Sequence, residues 1–167
     1  MARTKLGSKD ANTIGNLPAI GSSAPDFTLT SNDMKDVSLR EFAGKNLVLN
    51  IFPSVDTGVC SASVREFNKR VASMENTVVL CISKDLPFAQ KRFCGAEGID
   101  KAITLSDYRN FGFGKTYGVE LIDSGFAGLL ARAVIVIDPT GKVKHTELVP
   151  QIGQEPDYDV AIKATES

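Results

Sequence analysis

The stretch "LVLNIFPSVDTGVCSASVREF", residues 47–67, carries the pattern that decides the fold. It opens with a short apolar run that ends at Pro53, which is typical of a buried β-strand. Apolar residues then recur at intervals of three and four at Val64, Phe67 and Val71, which predicts the buried face of a helix. A buried strand that leads directly into an amphipathic helix is the basic unit of an α/β domain.

The same unit recurs along the chain. "TVVLCIS", from Thr77, predicts a second buried strand, and "DLPFAQKRFC" predicts a helix with Asp85 as its N-cap and Pro87 in its first turn. "AITLSD" predicts a third strand, "ARAVIVIDPTGKVKHTELV" a β-hairpin, and "EPDYDVAIKAT" a final helix capped near Asp157. This order predicts an α/β fold with parallel strands joined by crossover helices.

We expect residues 1–167 to form a single domain, with residues 1–16 as an N-terminal hairpin or arm. The net charge is −1, so we expect no binding to nucleic acid or to an anionic membrane surface. "MARTKLGSKDANTIGN" lacks the apolar core of a secretory leader, and no run approaches the roughly 18 apolar residues of a membrane span. The expected location is therefore the cytoplasm, where cysteines are more often catalytic, redox-active or buried than paired in structural disulfides.

Cys60 lies where the strand of the opening stretch gives way to the helix. A cysteine reacts as its thiolate, and an unperturbed thiol with a pKa of about 8.5 is mostly protonated at neutral pH. The first turn of a helix offers free N–H groups and a partial positive charge, which favour the thiolate. Thr57 lies three residues earlier, so its hydroxyl is within reach of the sulfur, and Pro53 is placed to bend the chain over it. The segment therefore predicts a reactive cysteine shielded from water.

A cation near this thiolate is expected to come from Arg65, Arg92 or Arg132. We favour Arg132, because "LLARAVIVID" places its charge at the mouth of an apolar strand. A charge in that position is costly unless it has a partner.

The other two cysteines lie in different settings. "VVLCIS" places Cys81 within a buried strand, which predicts a core residue. Cys94 lies at the end of a helix, before "GAEG", where a packed residue and a functional role are both open. We expect no metal site, since no two cysteines are closely spaced and His145 is expected to be an exposed strand residue. The glycines of "NFGFGKTYG" predict a turn rather than a phosphate-binding loop.

"FPSVDTGVC" contains the Pro-x-x-x-Thr-x-x-Cys signature of peroxiredoxins. The resemblance to their thiol peroxidase subfamily extends from about Leu17 to Tyr158, through "ENTVVLCISKDLPFAQKRFCGAEGI", "TLSDYRNFGFGKTYGV", "GLLARAVIVID" and "TELVPQIGQEPDYD". Family members often have proline after the threonine, where this chain has Gly58. That departure affects the rigidity of the loop and leaves the catalytic residue types intact.

This resemblance implies a thioredoxin-like fold with a central mixed sheet flanked by helices. It also implies reduction of hydrogen peroxide and alkyl hydroperoxides with no cofactor and no metal. Cys60 would be the peroxidatic cysteine that becomes a sulfenic acid, Thr57 and Arg132 would hold the thiolate and polarise the O–O bond, and Pro53 would shield the sulfur. Cys94 would be the resolving cysteine, which forms an intramolecular disulfide with Cys60 after both segments unwind locally. The implied reductant is thioredoxin, and the implied assembly is a homodimer.

Two alternatives are open at this point. A thiol–disulfide exchange protein could share the fold, but its chemistry normally uses two cysteines separated by two residues, and none of these cysteines is so placed. A peroxide sensor that passes its oxidation to a partner protein fits the same residues. Steady-state peroxide consumption would separate the enzyme from the sensor.

Overall fold

The computed structural model describes residues 1–166. An N-terminal hairpin pairs two strands, β1 (Arg3–Leu6) and β2 (Lys9–Asn12), in antiparallel fashion. A separate seven-stranded sheet has the order β4-β3-β7-β6-β5-β8-β9. Its strands are β3 (Thr28–Ser31), β4 (Asp36–Ser38), β5 (Asn46–Ile51), β6 (Thr77–Ser83), β7 (Ile103–Ser106), β8 (Ala133–Ile137) and β9 (Val143–Leu148).

The sheet is mixed. Strands β5, β6 and β7 run parallel, because each of their two connections contains a crossover helix. Strand β8 is antiparallel to β5, and β9 is antiparallel to β8, since a tight turn joins the last two strands. The predictions of an α/β fold with a mixed sheet flanked by helices and of an N-terminal hairpin are therefore confirmed.

Within residues 1–166, four α-helices and one 3-10 helix complete the fold. They are α1 (Gly58–Val71), α2 (Pro87–Glu97), α3 (Phe113–Thr116), α4 (Tyr158–Ala164) and a 3-10 helix at Leu39–Phe42. Buried side chains of α1, α2 and α4 share one apolar cluster with one face of the sheet. Phe113 of α3 and Tyr117, which follows α3, lie in the cluster on the other face. No helix within residues 1–166 is long and apolar enough to cross a membrane.

Two local predictions are wrong. Asp85 does not cap α2: the N-cap residue is Leu86, and the Asp85 side chain accepts hydrogen bonds from an earlier loop and from β6. "NFGFGKTYG" is not only a turn but also contains α3, whose Phe113 stacks on Tyr117 with ring centroids 4.7 Å apart. Both rings are buried, so packing in the core determines the conformation of this segment.

Candidate active site

Cys60 lies in the first turn of α1, just beyond the carboxyl end of β5. The chain leaves the sheet after Ile51, and Thr57 becomes the N-cap residue of α1 with an extended backbone, at φ −98° and ψ 143°. Cys60 is then the third residue of the helix, and its side chain is fully buried. Its position in the first turn places the sulfur near the positive end of the helix dipole, which favours a thiolate.

Arg132 contacts this sulfur directly. The residue lies immediately before β8, is 1% exposed, and donates from Nη2 to Cys60 Sγ over 2.9 Å. Its Nε donates to the backbone carbonyl of Ile152 over 2.6 Å, which fixes the plane of the guanidinium group. Its Nη1 is buried and has no hydrogen-bond partner among residues 1–166. The guanidinium group therefore holds the sulfur with one nitrogen and keeps a second donor free.

The other two candidate cations lie elsewhere. Arg65 forms an ion pair with Glu97 at 3.4 Å, and Arg92 forms one with Asp56 at the same distance. All four side chains are partly or largely exposed, so solvent screens these pairs.

Thr57 lies three residues before Cys60, but its side chain forms no hydrogen bond with the Cys60 sulfur within residues 1–166. The Thr57 hydroxyl donates to the backbone carbonyl of Ser54 over 3.2 Å, and the Thr57 N–H donates to the same oxygen over 3.3 Å. Among residues 1–166 we find no hydrogen bond between Thr57 Oγ1 and Cys60 Sγ. The hydroxyl would have to rotate about χ1 to reach the sulfur.

A small cavity of about 150 Å³ borders this group of residues. Three of the predicted site residues, Pro53, Thr57 and Arg132, line it, whereas Cys60 does not. Its other walls include Leu6 of the N-terminal hairpin and Phe126, neither of which the sequence indicated. Both lie far from Cys60 along the chain and belong to no recognisable pattern, so only the folded chain brings them together. The cavity offers apolar walls around one cationic donor.

Cys94 lies away from this cavity. It is half-buried in the last turns of α2, and its Sγ is 3.6 Å from Oγ1 of Thr104 on β7. Cys60 and Cys94 are both unpaired, and their sulfur atoms have different polar contacts, Arg132 and Thr104. A bond between the two sulfur atoms therefore requires a change of conformation.

Cys81 is a core residue of β6, and its only polar contact within the described chain is a 3.7 Å bond from Asn50 Nδ2. Burial raises the pKa of the Cys81 thiol to about 12, so it stays protonated and unreactive near neutral pH.

His145 is half-buried rather than exposed, and its Nε2 has no hydrogen-bond partner within residues 1–166. It pairs with Val136 on the neighbouring strand, and Val136 belongs to the apolar cluster on the side of α1, α2 and α4. The described residues contain no group of three or more histidine, cysteine or acidic side chains that could hold a metal ion.

Comparisons with known proteins identify the family of this chain. The family model described as Redoxin matches residues 19–162. The chain is 55% identical to the thiol peroxidase of Mycobacterium tuberculosis over 98% of both chains, and 52% identical to that of Corynebacterium glutamicum over 98% of this chain and 99% of the relative. The crystal structure of a peroxiredoxin-like protein from Aquifex aeolicus superposes with a TM-score of 0.92 at 35% identity, covering 99% of this chain and 97% of the other. With a match over most of its length and relatives this similar, the chain belongs to the Redoxin family.

Proposed function

We propose that this protein is a thiol-dependent peroxidase that reduces hydrogen peroxide and alkyl hydroperoxides. The single observation that carries the proposal is the 2.9 Å contact between Arg132 Nη2 and the buried Cys60 Sγ. A guanidinium group stabilises a thiolate, and a thiolate is the nucleophile that attacks peroxide oxygen. Relatives at 52–55% identity are named thiol peroxidases, which supports an enzyme rather than a sensor.

In the first step, the Cys60 thiolate attacks the terminal oxygen of the hydroperoxide. An S–O bond forms, the O–O bond breaks, and the alkoxide or hydroxide leaves with the electron pair and takes a proton from solvent. Cys60 becomes a sulfenic acid. The free Nη1 donor of Arg132 is available to stabilise the charge that develops on the leaving oxygen. Thr57 would orient the thiolate after its hydroxyl rotates. Pro53 forms part of the cavity wall.

In the second step, Cys94 attacks the sulfenic sulfur of Cys60, water leaves, and an intramolecular disulfide forms. The movement that this bond requires is supported by the local structure around Cys94. Gly95 follows it directly, and the helix ends at Gly98, which has a left-handed φ of +67° and closes the last turn on the Cys94 carbonyl. Unwinding of this turn would break the bonds that the Cys94 carbonyl accepts from Gly98 and Ile99, but no residue of α2 after Cys94 is buried.

The third step needs a two-electron reductant, and we propose thioredoxin, whose dithiol would take the disulfide back to two thiols. We also propose a homodimer in the cytoplasm. The family resemblance supports the partner and the assembly, and the three unpaired cysteines suit a reducing compartment. Sedimentation velocity of the reduced protein tests the dimer.

Peptide mapping by mass spectrometry tests the cysteine roles. Reduced protein would be mixed with one equivalent of hydrogen peroxide, alkylated and digested without reductant. We expect a linkage between Cys60 and Cys94 within one chain, with Cys81 recovered unmodified by peroxide. A sulfenic or sulfinic acid that persists on Cys60, or a bridge between chains, would remove Cys94 as the resolving residue. Peroxide oxidation that spares Cys60 would overturn the proposal.

A further inference from the structure

Asp85 accepts hydrogen bonds from two parts of the chain that are distant in sequence. It follows β6, and its Oδ1 accepts from the Ser54 hydroxyl over 2.7 Å. Its Oδ2 accepts from the Val55 N–H over 2.9 Å and from the Ser83 hydroxyl over 2.6 Å. One carboxylate therefore holds both the loop after β5 and the end of β6.

The loop that Asp85 holds leads directly to Cys60. Ser54 and Val55 lie between Pro53, at the wall of the cavity, and Thr57, the N-cap residue of α1. The Ser54 carbonyl accepts hydrogen bonds from both the N–H and the hydroxyl of Thr57. A displacement of Ser54 would thus move the N-cap residue and with it the first turn of the helix.

The other side of Asp85 is anchored in the core. Its backbone carbonyl accepts a hydrogen bond from the hydroxyl of Ser106 on β7. The fully buried Gln90 of α2 donates from Nε2 to the Ser83 hydroxyl over 3.1 Å and to the Leu105 carbonyl over 2.9 Å. Asp85 is therefore fixed by β6, β7 and α2, and the loop before Cys60 is fixed by Asp85.

We propose that Asp85 is a positioning residue for peroxide reduction, which holds the loop of residues 53–57 so that Cys60 and the cavity keep their reactive geometry. This inference rests on the proposed function. Asp85 does not line the cavity and acts through Ser54 and Thr57. Because displacements of about 1 Å can slow a reaction a hundredfold, loss of this support should slow the oxidation of Cys60 without changing its reacting groups.

The test is the first-order rate of Cys60 oxidation in a single turnover, measured by rapid quench, alkylation and mass spectrometry under excess hydrogen peroxide. We expect Asp85→Ala to slow this rate about tenfold or more. Partial unfolding would reduce the number of reactive molecules but not the rate constant of those that react. Asp85→Asn should recover the rate to within about threefold of the parent. Its amide oxygen can accept from the Val55 N–H and the Ser83 hydroxyl, and its NH2 group can donate to the Ser54 hydroxyl, which then acts as an acceptor.

Asp138 provides a matched control. Its carboxylate also holds a loop through three hydrogen bonds, from the N–H and hydroxyl of Thr140 and from the N–H of Lys142. It lies at the opposite end of β8 from Arg132, so we expect Asp138→Ala to leave the rate unchanged. Ser54→Ala removes the bond to Asp85 Oδ1 and the bond that the Ser54 hydroxyl accepts from the Asp56 N–H. It should slow oxidation severalfold and serves if Asp85→Ala does not fold.

The outcomes are distinguishable. If the parent protein oxidises Cys60 rapidly and both Asp85→Ala and Ser54→Ala stay within twofold of it, this inference is overturned and the proposed function stands. Equal slowing by Asp138→Ala, or no recovery in Asp85→Asn, would also overturn it. If the parent itself fails to react at Cys60, the proposed function fails first.

Discussion

Cys60 and Cys94 lie at opposite ends of two helices that flank the same face of the sheet. Cys60 is in the first turn of the 14-residue helix α1, fully buried, with Arg132 on its sulfur. Cys94 is near the end of the 11-residue helix α2, half-buried, with a threonine hydroxyl as its polar contact. The positive end of a helix dipole favours a thiolate and the negative end disfavours one.

Packing adds to this difference. Helix α1 buries five side chains, which include an apolar stripe at Val64, Phe67 and Val71, and the loop before it is tied to Asp85. Helix α2 buries three, and none of them follows Cys94. The same residue type is thus tightly packed at one site and less buried at the other. This difference in electrostatics and packing supports the proposed roles of nucleophile and resolving residue.

The largest expected effect comes from Cys60→Ser. Because serine supplies no thiolate, peroxide reduction should be abolished in both single-turnover and steady-state assays coupled to a thioredoxin system. Retained turnover would mean that Cys60 is not the nucleophile.

Cys94→Ser should separate the first step, oxidation of Cys60, from the second step, formation of the disulfide. The first reduction of peroxide should proceed at the parent rate, whereas repeated turnover with thioredoxin should be lost because no disulfide forms. The measurement is one equivalent of peroxide consumed per chain and then none. Normal cycling would mean that a different thiol resolves the sulfenic acid.

Arg132→Met should remove the electrostatic stabilisation of the Cys60 sulfur. Methionine fills the buried volume but offers no donor to Cys60, so the peroxide reaction should slow about a hundredfold. Alkylation of Cys60 by iodoacetamide should also slow, since Arg132 no longer contacts its sulfur. Arg70→Met is the control: it breaks ion pairs with Glu66 and Asp159 at 2.8 and 2.6 Å and should leave both measurements unchanged.

Cys81→Ala should affect stability alone. We expect unchanged peroxide kinetics and a loss of about 1 kcal/mol in the free energy of unfolding, measured by urea denaturation. In the parent, the raised pKa stabilises the fold below pH 9 and this contribution is lost as pH rises toward about 12, since the unfolded thiol ionises first. The variant should show less of this alkaline loss. Slower peroxide reduction would contradict a purely structural role for Cys81.

Gly58→Pro is expected to have the smallest effect. Gly58 is the first residue of α1, follows an extended Thr57, and an added Cβ would meet no atom within 4 Å. Proline suits this helix position and should stabilise the protein by about 0.5 kcal/mol by restricting the unfolded chain. Thermal unfolding measures the gain. A loss of stability would mean that the start of α1 needs the freedom of glycine.

Much of the architecture follows from local pattern. The apolar runs at residues 47–51 and 77–83 form adjacent parallel strands, and the spacing from Val64 to Val71 forms the buried face of α1. Such patterns are readable because burial of one face repeats with the period of the element itself. Helix α3 lacked this signal, since its formation depends on the stacking of Phe113 and Tyr117 in the core.

The local sequence around Asp85 does not predict the contacts of its side chain. Its position before Leu86-Pro87 is typical of a helix cap, but its carboxylate satisfies donors from Ser54 and Val55, about 30 residues earlier. The sequence contains both groups of residues and gives no sign that they meet. The register of the strands determines which donors reach the Asp85 carboxylate. No single segment of the sequence specifies that register.

The sequence by itself determined most of the elements, their order, and the choice of Cys60, Thr57, Pro53 and Arg132 as candidates. Helix and strand periods, and the chemistry of a cysteine at a helix start, are local properties. The tertiary structure alone decided that Arg132 lies 2.9 Å from Cys60, that Leu6 and Phe126 close the cavity, and that Cys94 stays apart. Those distances depend on strand order and on the packing of helices against the sheet. Both arise from contacts between residues far apart in the chain.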